Sequence, residues 1–181
     1  MQLHNTFRNA WLPSVRPISE SAVRKSFVNC SKGEATRLGL PRDFAELPWN
    51  DLDFLGWRDP GAPERGYLVA EHDGRLVGVA LRATSGAARG FTARSICTLC
   101  KTTRTGGGVG LLSARRTGEA GRNGNTVGEY ICTDLACSLY IRGKKVSVGD
   151  PLDETLDLEA KIARLRRGLG AFLDKITSTT A

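Results

Sequence analysis

Ile96-Cys97-Thr98-Leu99-Cys100 and Gly128-Glu129-Tyr130-Ile131-Cys132-Thr133-Asp134-Leu135-Ala136-Cys137 are the stretches that decide how this chain folds. They hold four of its five cysteines, as a Cys-x2-Cys pair, a gap of 31 residues and a Cys-x4-Cys pair. A two-residue spacer lets a tight turn aim two thiolates at one ion, with Zn–S distances of about 2.3 Å. Four sulfurs close a tetrahedral shell and leave no position for water, so such a site holds structure and does no hydrolysis. A redox-active Cys-x2-Cys would ask for a strand-to-helix setting and leaves the second pair unexplained. Four unrelated buried thiols are the other alternative. Cys97, Cys100, Cys132 and Cys137 are therefore read as ligands of one structural Zn2+. Cys30, beside Phe27 and Val28, reads as a small core residue.

Outward from the cysteines, Val109 to Arg116 reads as a strand, and a turn-rich link from Gly118 to Gly124 leads to a second strand near Thr126–Ile131. Asp134 to Ile141 reads as a helix whose first turn presents Cys137. Knuckle, hairpin, then helix with a ligand at its start is the treble-clef order. Upstream, Asp73-Gly74 separates the apolar runs Tyr67–Glu71 and Leu76–Leu81. That is a hairpin signal, because glycine supplies the positive φ of a type I′ turn. His72 beside it reads as a solvated loop residue.

Ser19 is the expected N-cap of a first helix over Glu20–Asn29, with Val23, Phe27 and Cys30 on one face. Ser31 and Glu34 form a capping box that opens a second helix ending near Leu38-Gly39. Residues 41–66, with Pro41, Pro48, Pro60 and Pro63, read as an irregular packed segment. Trp49, Phe54 and Trp57 are expected to cover one side of the core, a peptide groove being the alternative. After Asp150-Pro151, Leu158, Ile162, Leu165, Leu169, Phe172 and Ile176 keep to one stripe of a terminal helix. The expected fold class is α+β: short N-terminal helices and a β-hairpin packed with a treble-clef zinc finger, closed by a C-terminal helix. Residues 1–17 are the expected flexible lead-in and 18–178 a single zinc-binding domain. Within it, 18–95 carry helices and hairpin, 96–145 the zinc finger and 151–178 the terminal helix.

The chain has 181 residues, 40% hydrophobic and 25% charged, a balance that excludes a wholly disordered or collagen-like protein. No apolar run approaches the roughly 18 residues of a membrane span, and Met1 to Trp11 lacks the apolar core of an export signal. A soluble, cytoplasmic monomer is expected. The formal charge of +7 arises wholly in residues 85–145, where ten Lys and Arg face three acids. Four thiolates and one Zn2+ would lower it to about +5. Catalytic constellations are missing. Gly106-Gly107-Gly108-Val109-Gly110 lacks the Gly-Lys-Ser/Thr ending of a phosphate loop, and His4 and His72 sit in weak contexts. Asp51 and Asp53 look like part of a packing turn. No enzymatic activity is expected.

The run Ser26 to Ala35, the tryptophan-rich segment 48–60 and the two cysteine motifs together resemble a known family. It is the C-terminal treble-clef zinc-finger domain of elongation factor G-binding proteins, the fusidic-acid-resistance family, in the shorter form seen in high-GC Gram-positive bacteria. The resemblance covers about residues 18–178. It implies a zinc-stabilised domain that binds elongation factor G on or near the ribosome, and in resistance members helps the factor leave a drug-stalled ribosome. The family's aromatic before the second cysteine pair falls on Tyr130, and a terminal-helix aromatic on Phe172. Val127 stands where family members can carry a basic residue. The helical bundle that precedes the zinc domain in resistance proteins has no counterpart in this sequence. The leading expectation is an adaptor that shows Tyr130 and a basic rim of Lys101, Arg104, Arg115 and Arg116 to elongation factor G. The runner-up is direct binding of ribosomal RNA or other nucleic acid by the same basic module.

Overall fold

The computed structural model describes residues 16–83, 94–147 and 154–178; Trp11, His4 and most of the expected lead-in, Arg89 and the Asp150-Pro151 break lie outside the described residues. Helix α1 (Glu20–Ser26) starts as expected, the Ser19 hydroxyl accepting the Ala22 N–H at 3.2 Å. Helix α2 (Lys32–Arg37) carries the full capping box: Ser31 Oγ accepts from Glu34 N, and the Glu34 carboxylate accepts from Ser31 N at 2.8 Å. Arg24 of α1 closes the other end of α2, donating to the Thr36 and Leu38 carbonyls at 2.7 and 2.9 Å. Positive charge at a helix C-terminus is favourable there.

Helix α1 is three residues shorter than the sequence suggests, and a strand is the reason. Strands β2 (Arg65–His72) and β3 (Arg75–Ala83) form the expected hairpin, with Asp73 and Gly74 at φ 50° and 71°. The chain leaves α1 at Phe27 to make a parallel bridge with Gly78, and Val28 N donates to the Gly78 carbonyl at 2.9 Å. A Cβ on Gly78 would stand 2.5 Å from Ser26 Oγ, so only glycine admits this approach. Asn29 then works as a substitute strand residue. Its amide donates to the Ala80 and Arg115 carbonyls, and its carbonyl accepts from Ala80 N at 2.8 Å.

The segment expected to be irregular contains two short 3-10 turns and strand β1 (Leu55–Arg58), which pairs with β2. Strands β6 (Val109–Arg115) and β7 (Thr126–Cys132) complete a five-stranded sheet of order β1-β2-β3-β6-β7, antiparallel throughout. A separate ribbon joins β4 (Ser95–Ile96) to β5 (Thr103–Arg104). Between β6 and β7 the expected turn-rich link is wound into helix α3 (Gly118–Arg122).

Strand β2 is buried on both sides, so its alternation feeds two cores. Tyr67 and Val69 join Val23, Leu38, Trp49, Leu55 and Trp57 under the N-terminal helices. Leu68 and Ala70 face the zinc region together with Phe54. The expectation that Trp49, Phe54 and Trp57 share one side is therefore corrected. Phe54 lies on the opposite core, while Trp57 is fixed by its indole N–H to the Gly39 carbonyl at 2.8 Å. Each fully buried large side chain contributes about 1.5–3 kcal/mol.

The terminal helix α5 (Leu158–Thr177) is capped by Asp157, whose carboxylate accepts from Ala160 N at 2.8 Å. Leu165, Leu169, Phe172, Leu173 and Ile176 are buried in the zinc-side core, whereas Leu158 is exposed, so the stripe engages only past the first turn. Among the described residues no helix is long and apolar enough to cross a membrane.

Asp53 is the buried polar stitch between these layers. Its carboxylate is wholly buried and takes a forked pair from Arg142 at 2.5 and 3.2 Å, and Arg166 of α5 at 3.0 Å. Its backbone N–H is satisfied by Ser138 Oγ at 2.9 Å. Removing one member leaves an uncompensated charge in a low-dielectric site. Asp53→Ala is expected to lose about 3–5 kcal/mol in urea unfolding, against a fraction of that for Asp51→Ala, whose pair with Lys144 is 3.9 Å long and exposed.

Candidate metal centre and the face beside it

The knuckle between β4 and β5 brings the first two cysteines together. Cys97 N donates to the Thr102 carbonyl at 3.1 Å, Lys101 N to the Cys97 carbonyl at 3.0 Å, and Cys100 N to Cys97 Sγ at 3.5 Å. Lys101 closes the turn in the left-handed region at φ 60°. Strand β7 delivers Cys132 at its end. The chain then turns through Leu135, also left-handed at φ 56°, and reaches helix α4 (Cys137–Ile141), whose first residue is the fourth cysteine.

Helix α4 is thus shorter than the expected Asp134–Ile141. The turn that replaces its first residues drives Leu135 onto β1, where a Cβ on Gly56 would stand 2.7 Å from Leu135 Cβ. The glycine in β1 exists to admit the metal loop.

Cys97 and Cys137 Sγ lie 3.8 Å apart, Cys100 and Cys132 Sγ 3.6 Å apart, and all four fall within 4.8 Å of one another. A tetrahedron of sulfurs about 2.3 Å from a central ion has edges of about 3.8 Å, so the donors fit Zn2+. A disulfide needs about 2.05 Å, and all four thiols are free. Each cysteine is at most 1% exposed. Hydrogen bonds from Cys100, then Cys132 and Cys137, hold the Cys97 thiol far below its ordinary range. Cys132 and Cys137 are pushed well up, contact with Cys100 leading in both. A bound dication stabilises all four thiolates together.

The surrounding shell holds the loop in place. Asp134 accepts from the Tyr140 hydroxyl at 2.7 Å, Lys145 at 2.9 Å and Arg104 at 3.2 Å. Burial raises its carboxyl, but the hydrogen bonds from Lys145 and Tyr140 and the neighbouring cations outweigh this and hold it below its usual range. The Arg104 guanidinium also stacks 4.4 Å over the Tyr140 ring. Arg164 of α5 donates to the Cys100 carbonyl at 3.1 Å and pairs with Glu154, tying the helix to the knuckle.

The residues expected to meet a partner are distributed unevenly. Tyr130 is 43% exposed on β7, and its carbonyl accepts the Thr98 N–H at 2.8 Å, so the cysteine knuckle fixes its backbone. Lys101 is exposed at the knuckle tip and Arg115 at the far end of β6. Arg104 is engaged by Asp134, and Arg116 donates to Ser178 at 2.9 Å. Phe172, which only the resemblance linked to a partner, is 1% exposed: the stripe that made it visible in the sequence turns it into the core.

Two residues were missed. Register places Leu111 opposite Tyr130, and Ser113 between Leu111 and Arg115 opposite Arg82 of β3. The outer face of β3, β6 and β7 is thus Tyr130 and half-buried Leu111, with Arg82 and Arg115 beside them. Gly128 leaves room for Leu111 to lean across, since a Cβ there would meet Leu111 Cδ1 at 2.9 Å. The burial pattern along β6 alternates from Leu111 to Ala114, and the adjacent Leu111 and Leu112 hid this signal until the pairing with β7 and β3 was known.

A family model described as FBP C-terminal treble-clef zinc-finger matches residues 22–176, and the chain belongs to that family. No curated protein and no solved structure matches the chain. Family and sulfur cluster together support one structural Zn2+.

Purified protein is expected to carry one zinc per chain by elemental analysis. A strong chelator should remove it with loss of cooperative unfolding, and Cys132→Ser should reproduce that loss. Retention of the full thermal transition in metal-free protein would contradict a structural role.

Proposed function

We propose that this member of the family is a non-enzymatic, cytoplasmic adaptor that binds translation elongation factor G on or near the ribosome and aids its release. The metal ligands assigned are Cys97, Cys100, Cys132 and Cys137, and the chain works as a monomer. The observation that carries the reading is Tyr130: a half-exposed aromatic whose carbonyl accepts the N–H of Thr98, inside the cysteine knuckle. An aromatic anchor on a pre-ordered backbone loses little conformational entropy on docking. Leu111 widens the apolar centre, while Arg82, Arg115 and Lys101 supply a basic surround suited to an acidic protein surface.

Charge pairing favours a protein partner over ribosomal RNA. Arg104 and Lys145 converge on Asp134, Arg142 is buried against Asp53, and Lys144 pairs with Asp51. Four of the ten cations that make the segment basic are thereby engaged within the fold. These four are thus withdrawn from any phosphate-binding track.

Tyr130→Ala is expected to weaken binding to purified elongation factor G about tenfold or more by calorimetry, with unfolding unchanged. Phe172→Ala should instead lose about 3–5 kcal/mol of stability. Unaltered affinity in the Tyr130 variant removes that residue from the interface. Capture from lysate that disappears on nuclease treatment, and falls steeply with salt, would transfer the reading to RNA.

A further inference from the structure

His72, expected in a solvated loop, is largely covered: its side chain is 13% exposed. The ring lies along α5, where a Cβ on Gly170 would stand 3.8 Å from His72 Cε1. Its Nε2 is 2.8 Å from Asp174 Oδ1 and 3.6 Å from Asp73 Oδ2. One donor comes from the end of β2, one from the hairpin turn and one from a helix a hundred residues later in the chain. Among the described residues, only these three and the four cysteines bring three or more such donor atoms within 4.8 Å.

We propose that His72, Asp73 and Asp174 form a second metal site, for a divalent transition ion with nitrogen and oxygen ligands. Around an ion with ligands at about 2.1 Å, adjacent donors stand about 3.0 to 3.4 Å apart. The two distances to Nε2 bracket that range, so small rotations of two exposed carboxylates suffice. One imidazole and two carboxylates suit Zn2+ and its neighbours rather than Ca2+ or Mg2+, which take oxygen alone. Two negative charges and one dication are neutral together, which removes the repulsion between Asp73 and Asp174. The ion takes the place of the direct contact between Nε2 and Asp174.

The site differs in kind from the cysteine cluster. Asp73 and Asp174 are 82% and 64% exposed, so waters complete the shell and the ion exchanges readily. A cavity of about 540 Å³ beside His72 and Asp73, also lined by Arg16 and Arg166, gives those waters room. Bound metal clips the β2–β3 turn to α5 and stabilises the fold by RT ln(1 + [M]/Kd), [M] being the free ion concentration. This inference stands independently of the adaptor reading.

The test is a calorimetric titration of Zn2+ into the untagged full chain already holding its first zinc. One further equivalent is expected to bind, with a rise in melting temperature. His72→Ala and Asp174→Asn should each weaken it at least tenfold. Asp73→Asn, at an exposed turn where Asn tolerates positive φ, provides a variant whose folding is not in question. The chain has only two histidines, so His4→Ala is the control, and ring-nitrogen NMR should show one imidazole shifting on zinc addition. Absence of a second equivalent, or equal binding by the His72 and Asp73 variants, overturns the proposal.

Discussion

Four sulfurs drawn from segments 31 residues apart cannot sit within 4.8 Å of one another as independent groups. Fully ionised they repel, and fully protonated they give up the solvation of four polarisable groups for weak S–H contacts. A single dication resolves both problems, and much of the domain is arranged around that solution. The knuckle needs a left-handed Lys101, the second loop a left-handed Leu135, and β1 a glycine under Leu135. Each is locally unfavourable for the residue concerned, and each is compensated only when the sulfurs converge.

Electrostatics follow the same logic of local neutralisation. A segment that is strongly basic in sequence meets Asp51 and Asp53 from before β1 and its own Asp134 within the metal loop. The Asp53 ion pairs lock the layers together. Its carboxylate is buried and held between two guanidiniums.

What could be read from the sequence was what short-range chemistry specifies. Ser19, the Ser31–Glu34 box and Asp73-Gly74 mark boundaries through hydrogen bonds and φ angles within four residues, and they hold in the structure. The cysteine spacing likewise carried the metal cluster. Features set by partners distant in the chain were not legible. Strand β1 is four residues long with a glycine inside, and only its pairing with Tyr67, Leu68 and Val69 makes it a strand. Helix α1 ends early because Gly78, some fifty residues on, offers Phe27 and Val28 a strand to join. His72 carried a sensible local reading that tertiary packing overrode.

Helix α5 connects these parts. Near its start Arg164 holds the carbonyl of Cys100, at its middle Arg166 meets Asp53, and toward its end Asp174 meets His72. Between the polar clasps an apolar stripe fills the zinc-side core. Lys175 adds a pair to Glu129, the residue before Tyr130 on β7, at 2.9 Å. Glu129 and Tyr130 alternate across the strand, so one side of β7 is set by the helix and the other is displayed. The helix thus meets the side of β7 opposite Tyr130.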